Sequence, residues 1–392
     1  MDTIFSHPLF VPLAVTLAII AVFPLMAGYI VLIERKVLAD FQVRLGPMRV
    51  GPHGLLQPIA DALKLLLKED IVPADSDKAI FWFAPVISTF TALTAFSVLP
   101  LSDYLFVADV NVGVLVILAM SAVGILGIIL GGWSSNSHYP LLGALRSAAQ
   151  LVSYEVALGF ALISGLMSAG TLSMQGMVKA QMERGIWFIF DNYCFMVVPF
   201  VVYVIAATAE TNRAPFDLPE AESELVAGFH TEYSGFRWAL YFLAEYANIF
   251  VVSSVAVTLF WGGWLRPFPN VGWLEIPVNV IFPAILFLGS GASCFLLLKK
   301  LKDPVQQKTL VGAAVLLMAV ALPFLVPAAN KAIIGLFWFI FKVSMFVYVM
   351  IWFRGTFPRF RYDQLMNIGW KYMIPIGMGS IVVNALLGMA KG

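Results

Sequence analysis

The chain has 392 residues, of which 60% are hydrophobic and only 12% charged. Ordinary globular domains carry roughly 25% charged residues, so most of this surface cannot face water and lipid is the expected solvent. The formal charge of +1 shows no overall basic or acidic bias, which excludes nucleic acid as a partner on composition grounds.

In chain order, apolar runs long enough to cross a hydrocarbon core of ~30 Å lie at about 8–33, 80–101, 112–132, 147–169, 192–211, 239–263, 275–298, 308–328, 331–353 and 371–389. The first is too long for the core of a signal peptide and has no basic region ahead of it, so it is expected to remain as a span. The runs are continuous rather than alternating, and lipid offers no partner to an unpaired backbone group. The predicted fold is therefore an all-α integral membrane protein with about ten transmembrane helices. Trp133, Trp261, Trp264 and Trp352 at the run ends suit interfacial aromatic belts.

Assigning loops alternately to two sides puts eighteen Lys and Arg on one side, and Lys179, Arg184, Arg266, Lys331 and Lys391 on the other, with Lys342 left inside a span. Positive charge is retained on the cytoplasmic or matrix face, so the long odd-numbered loops belong there and both termini lie opposite. Between the first two spans, Gly54 to Asp70 places Leu56, Ile59, Leu63, Leu66 and Leu67 on one helical stripe and Gln57, Asp61, Lys64 and Lys68 on the other. This spacing predicts an amphipathic helix in the membrane interface, with a soluble cap packed on the loops as the alternative. Gly127 and Gly131 form a small-x-x-x-small pair suited to close helix packing. Gly46 to Gly51 has the outline of a phosphate-cradling loop, but Pro52 and His53 stand where Lys and Ser or Thr are required, so no nucleotide site is read there.

Charged side chains within spans cost several kcal/mol and normally face a protein interior or a watered path. Glu155, Glu210, Glu245 and Lys342 are such residues. Any one of them is equally well explained by a structural ion pair; three carboxylates on consecutive spans together favour a functional path. The loop after the fifth span sets Glu210, Asp217, Glu220, Glu222, Glu224 and Glu232 against only Arg213 and Arg237, interleaved with Phe216, Leu218, Leu225, Val226 and Phe229. Carboxylates crowded at a low-dielectric boundary cannot all stay ionised, so such a group can store and release protons. The loop after the first span carries Glu34, Arg35, Lys36, Arg44 and Arg49. These cations could guide a lipid-soluble molecule with a polar head, and positive-inside topology alone explains them equally well. Cys194 and Cys294 are far apart in apolar runs, and His7, His53, His138 and His230 are scattered, so no redox centre or metal site is expected in this chain.

At these loops, ERKVLADFQVRLGPMRVGPHGLLQPIADALKLLLKED and PFDLPEAESELVAGFHTEYSGFRWALYFLAEY resemble the two signature regions of the H subunit of type I NADH:quinone oxidoreductase, respiratory complex I, the counterpart of mitochondrial NADH dehydrogenase subunit 1. GGWSSNSHYPLLGALRSAAQLVSYE and FRGTFPRFRYDQLMNIGWK extend the likeness, which covers Ile4 to about Trp264 and about Phe337 to Leu386. The resemblance implies a membrane-arm subunit of a proton-pumping enzyme, inactive alone, that forms the membrane side of a ubiquinone or menaquinone chamber. NADH, FMN and the iron–sulfur clusters would belong to partner subunits. Peripheral-arm quinone-site subunits, antiporter-like and small membrane-arm subunits and membrane lipid would be its neighbours. It carries chamber roles onto Glu34, Arg35, Lys36, Arg44, Asp61, Arg213 and Phe216. It carries a proton path onto Glu155, Glu210 and Glu245, with Asp217, Glu220, Glu222 and Glu224 at its mouth. Arg146, Arg354, Arg359, Arg361 and Asp363 match loop positions for which docking to the peripheral arm is a sufficient role.

The family usually has eight spans. Here residues 265–328, including LLLKKLKDPVQQK, add two apolar runs, which divides the chain into a family core at 1–264 with quinone-site loops at 34–79 and 211–238, an inserted two-helix hairpin at 265–328, and the last two family spans at 329–392, whose cytoplasmic loop is 354–371. An inserted pair leaves everything downstream on its original side. The expected location is a bacterial cytoplasmic membrane with both termini periplasmic, the mitochondrial inner membrane being the alternative. The homologous membrane component of a membrane-bound hydrogenase or a ferredoxin- or deazaflavin-linked complex is the nearest rival reading. A stand-alone secondary transporter would call for inverted repeats and midplane breaks that the sequence does not display.

Overall fold

The computed structural model describes residues 10–217, 227–298 and 304–391. Its helices of six residues or more are α1 (Phe10–Phe41), α2 (Gln57–Leu67), α3 (Lys78–Ser97), α4 (Gly113–Ser134), α5 (His138–Ala169), α6 (Met174–Arg184), α7 (Val197–Glu210), α8 (Gly235–Phe260), α9 (Phe282–Leu298), α10 (Pro304–Leu325), α11 (Pro327–Thr356), α12 (Tyr362–Asn367) and α13 (Ile374–Lys391). Every predicted span has a helix at its position, and no strand occurs among the described residues. Nine of the described helices are long and apolar enough to cross a membrane, α12 and α13 being joined through a π-helical turn at Ile368–Met373 into one of them.

The fifth span departs from the sequence expectation, because α7 is only 14 residues long. The apolar run begins near residue 192, yet Asn192, Tyr193 and Cys194 take left-handed backbone angles. Polar contacts override the pattern there: Asp191 pairs with Arg184 and the Asn192 side chain bonds to that of Asn384.

Several helices instead run past their apolar segments. α1 continues through Phe41, so Glu34, Arg35 and Lys36 are helical rather than part of the following loop. Successive helical side chains point ~100° apart, which turns Glu34 inward, 3% exposed, while Arg35 beside it is exposed. α11 likewise carries Arg354 in its last turn.

The centre of the bundle is α8, which is buried along most of its second half. Its backbone carbonyls accept side-chain bonds from three neighbours: Thr89 of α3 to Leu240 at 3.1 Å, Tyr203 of α7 to Val252 at 2.8 Å, and Gln181 of α6 to Thr258 at 2.9 Å. Just beyond its end, the buried Lys342 of α11 donates to the carbonyls of Trp261 at 2.7 Å and Leu265 at 2.9 Å, and its ammonium lies 4.9 Å from the Trp187 ring centre. A cation at a helix C-terminus meets the negative end of its dipole, which accounts structurally for this in-span charge.

The Gly127 and Gly131 pair lets α4 approach its neighbours closely. A Cβ on Gly127 would stand 2.3 Å from Ser88 Oγ of α3, and one on Gly131 would stand 2.2 Å from the Tyr241 hydroxyl. That hydroxyl donates to the Gly127 carbonyl at 3.1 Å. α9 and α10 pack against each other as an antiparallel pair and contact α11 chiefly at one end. There Asn279 accepts from Trp338 Nε1 at 3.1 Å and from Asn330 at 3.2 Å. α2 leaves Leu63, Leu66 and Leu67 exposed, as a helix lying in the membrane interface requires; a cap packed on the loops would bury that stripe.

α5 also approaches the backbone of the 228–229 turn closely: a Cβ on Gly143 would meet Gly228 Cα and Phe229 N at 2.8 Å. Neither atom can rotate away, so Gly143→Val should destabilise the fold by about 1–3 kcal/mol. Thermal melting of the purified assembly checks this, with Gly159→Ala, which meets nothing within 4 Å, expected to melt like the wild type.

Candidate functional site

At the end of the bundle bearing the long charged loops, α1, α8, α11 and the 211–217 segment converge on four buried or half-buried charges. Arg213 Nη1 donates to Glu34 Oε1 at 3.1 Å, and Arg213 Nη2 lies 2.9 Å from Glu245 Oε1 as an ion pair out of line for a hydrogen bond. Arg354 reaches back from α11 to the same Glu34 oxygen. The other oxygen, Oε2, accepts from the Tyr246 hydroxyl at 2.7 Å. Tyr246 also presents its ring face to the Arg213 guanidinium, 4.3 Å from the ring centre, a cation–π contact strengthened by the exclusion of water. Two carboxylates and two guanidiniums balance. Burial opposes the charge on Arg213, but Glu245, Tyr246 and Glu34 outweigh it and hold that guanidinium above the ordinary arginine range.

The segment bearing Arg213 is fixed from below. Gln150 of α5 donates to the carbonyls of Ala209 at 2.8 Å and Phe216 at 2.7 Å. Phe216 is buried between Tyr154 and Phe360, with ring centres 5.5 and 5.6 Å away, and Phe360 N donates to the Pro215 carbonyl at 3.0 Å. The Ala214–Pro215 bond is cis. Asp217 pairs with Arg359 at 2.9 Å.

Beneath the network lies a cavity of about 110 Å³, lined among others by Ser121, Glu210, Asn212, His230, Glu245 and Asn248. A water needs on the order of 10–15 Å³ of such space, so a short file of waters fits between Glu245 and Glu210. Glu210 accepts from Ser121 Oγ at 2.6 Å. Glu155 does not line this cavity, but it shares a helical face with Leu151, Leu158 and Leu162, which do, and its charge acts on Glu210. His230, walled by Phe229 and Trp238 with ring centres at 5.0 and 6.3 Å, is pushed down to about 4 by burial and is neutral at pH 7.

The structure therefore brings Glu34, Arg213 and Glu245 into one cluster, with Phe216 packed beneath it and Glu210 across the cavity. It separates the other candidates. Arg35 forms an exposed pair with Asp61 at 2.9 Å, Lys36 donates to the His53 carbonyl at 2.6 Å, and the Arg44 side chain donates to nearby Gln42 at 2.7 Å. Arg237 pairs with Asp70 at 2.6 Å and stacks 4.3 Å from the Trp82 ring centre. Glu220, Glu222 and Glu224 lie outside the described residues. Among the described residues, no group of three His, Cys, Asp or Glu is placed to hold a metal. Arg354, Tyr246, Ser121 and Gln150 belong to the site although residue type alone did not single them out for it. For Arg354 the available signal is its position directly after an apolar run, where a long side chain can fold back into the bundle.

Fold and site define a polytopic α-helical membrane protein with a balanced buried charge cluster at one face and a carboxylate-bearing cavity below it. The sequence profile described as NADH dehydrogenase matches residues 13–385. The chain is 75% identical over 389 residues to NADH-quinone oxidoreductase H subunit 2 of Solibacter usitatus (strain Ellin6076), with 99% of both sequences covered. It is 52% identical to NADH-quinone oxidoreductase H subunit 1 of Koribacter versatilis (strain Ellin345), covering 96% of this chain and 92% of the relative. It is 41% identical to the NADH-quinone oxidoreductase H subunit of Paramagnetospirillum magneticum (strain ATCC 700264 / AMB-1), covering 97% and 94%. The chain belongs to the NADH dehydrogenase family, among the H subunits of NADH-quinone oxidoreductase.

Two outcomes follow from the geometry. Removing one partner of a buried charge cluster leaves the others uncompensated, at a cost of about 3–5 kcal/mol. Arg213→Met should therefore lower the melting temperature of the assembly far more than Arg35→Met at the exposed rim. For His230, the folded value of about 4 lies below the ordinary ~6.5, so the unfolded chain binds the extra proton. Its stability contribution is complete above pH ~6.5 and is lost as pH falls towards 4, by at most about 3 kcal/mol. His230→Phe should flatten the acid side of a melting-temperature profile measured across that window.

Proposed function

We propose that this chain forms the membrane side of the quinone chamber in a proton-pumping NADH-quinone oxidoreductase, and converts quinone reduction into proton movement along a carboxylate path. The observation that carries this reading is Arg213, shared between Glu34 beside the loops and Glu245 on the cavity wall. A guanidinium so placed links charge at the chamber to protonation in the membrane.

Reducing a quinone to a quinol takes two electrons and two protons. The electrons come from clusters on peripheral-arm subunits, which also hold FMN; the protons are drawn from acidic groups of the 211–238 loop, namely Asp217, Glu220, Glu222 and Glu224. Negative charge left there attracts Arg213 and Arg354. As their compensation of Glu245 weakens in a poorly hydrated site, Glu245 gains affinity for a proton, and the cavity supplies one from Glu210. Glu155, on the same face of α5 and half-exposed, hands the vacancy on to neighbouring membrane subunits of the antiporter-like type. Arg35, Lys36, Arg44 and Asp61 form the rim past which the quinone head enters, between α1, α8 and the exposed leucines of α2. The same reading makes residues 265–328 a hairpin inserted between a family core at 1–264 and the last spans at 329–392. It sets the charged loops in the cytoplasm of a bacterium, with both termini periplasmic.

Glu210→Gln and Glu155→Ala should each reduce quinone-dependent proton pumping by roughly tenfold or more, the scale of a positioned proton donor. NADH oxidation by a hydrophilic artificial acceptor should stay at the wild-type rate. Undiminished pumping in both variants sinks the proposal.

A further inference from the structure

On the face opposite the charge network, a second cavity of about 340 Å³ opens between the chain leaving α8, the start of α11, the 102–104 segment, Met182 of α6 and Asn279 just ahead of α9. Arg266 and Lys331 line it. This is the side on which cations are disfavoured, and only five lie there, so the convergence of two on one pocket calls for a counter-ion. Arg266 uses Nη2 to donate to the Pro269 carbonyl at 3.0 Å, leaving its Nη1 buried with no partner among the described residues. Lys331 is exposed and makes no ion pair or hydrogen bond among the described residues. Asp103 also borders the pocket, so the lining keeps a net positive charge.

The rest of the wall is interfacial in character. Trp264 and Trp338 back the pocket, Tyr104 stands exposed at its edge, and Asn279 of the hairpin closes it through its bond to Trp338. Beside the pocket, Trp273, Ile276, Leu322 and Leu325 are all more than half exposed, giving an apolar slope down the hairpin.

We propose that this pocket binds the phosphodiester headgroup of an anionic phospholipid, whose acyl chains lie on the slope of α9 and α10. A guanidinium with a free, desolvated donor beside a flexible ammonium matches a phosphate oxyanion in geometry and charge. The aromatic edge sits where headgroup and chains part. The hairpin thereby gains a role, since its Asn279 forms part of the pocket wall.

The intact complex, in nanodiscs of phosphatidylcholine with a minority of phosphatidylglycerol, is stripped with detergent and weighed by native mass spectrometry. Wild type should keep one phosphatidylglycerol that the double variant Arg266→Gln, Lys331→Gln loses. Lys179→Gln, which removes a cation of the same side outside the pocket, should keep it. Arg266→Lys retains the charge and should also keep it, which separates loss of binding from loss of loop structure. Equal retention in the double variant, equal retention of phosphatidylcholine, or displacement of the lipid by excess inorganic phosphate would each overturn the assignment.

Discussion

The arrangement of this protein depends on electrical balance among Glu34, Glu245, Arg213 and Arg354 in a place that water barely reaches. A lone ion there would cost several kcal/mol, so none of the four can be placed independently of the others. Meeting that constraint brings the end of α1, the third turn of α8, the last turn of α11 and the segment after α7 to one point. Tyr246 completes the cluster by donating a hydrogen bond to Glu34 while offering its ring face to Arg213. A balanced cluster of this kind is stable only while its surroundings are neutral. A new charge nearby must be answered, and in a rigid site the least costly answer is a proton.

Rigidity comes from α5 and α8. α5 carries Gln150, which ties down the loop on either side of Arg213, and Glu155 stands little more than one turn further along. The helix that holds the loop in place is thus the helix that carries Glu155, a member of the proposed carboxylate path. The Phe216 stack and the Arg359–Asp217 pair add a clamp from the segment between α11 and α12. Changes in that segment therefore bear on Arg213 without touching it.

Much of this was legible in the sequence, because lipid imposes simple rules. Span positions follow from uninterrupted apolar length. The exposed apolar stripe of α2 could be read from its spacing, and the in-span carboxylates stood out by their cost. What stayed hidden was set by tertiary contacts. The start of α7 is decided by the Arg184–Asp191 contact and by the Asn192–Asn384 contact, the second of which joins segments far apart in the chain. Arg354 and Arg359 look alike in sequence, both basic and both beside an apolar run. One enters the buried cluster and the other pairs at a half-exposed rim, a difference fixed by helix phase and the end of α11. Arg237 pairs with Asp70, a partner distant in sequence, because the turn of α8 that bears it faces α3 and the chain leaving α2.

α8 connects the two chemically distinct ends of the molecule. Towards one end it presents Glu245 and Tyr246 to the charge cluster; just beyond the other, Lys342 holds the carbonyls of Trp261 and Leu265. Along its length, at Leu240, Val252 and Thr258, its carbonyls are tied to α3, α7 and α6. A helix pinned along its whole length cannot answer a charge at one end by sliding or tilting without breaking buried hydrogen bonds, each of which costs roughly 1–3 kcal/mol when one partner is left unsatisfied. Moving a proton across the cavity between Glu245 and Glu210 breaks none of them. Coupling through proton relocation, with the helices as a fixed frame, is therefore the route that this packing favours on the proposed function.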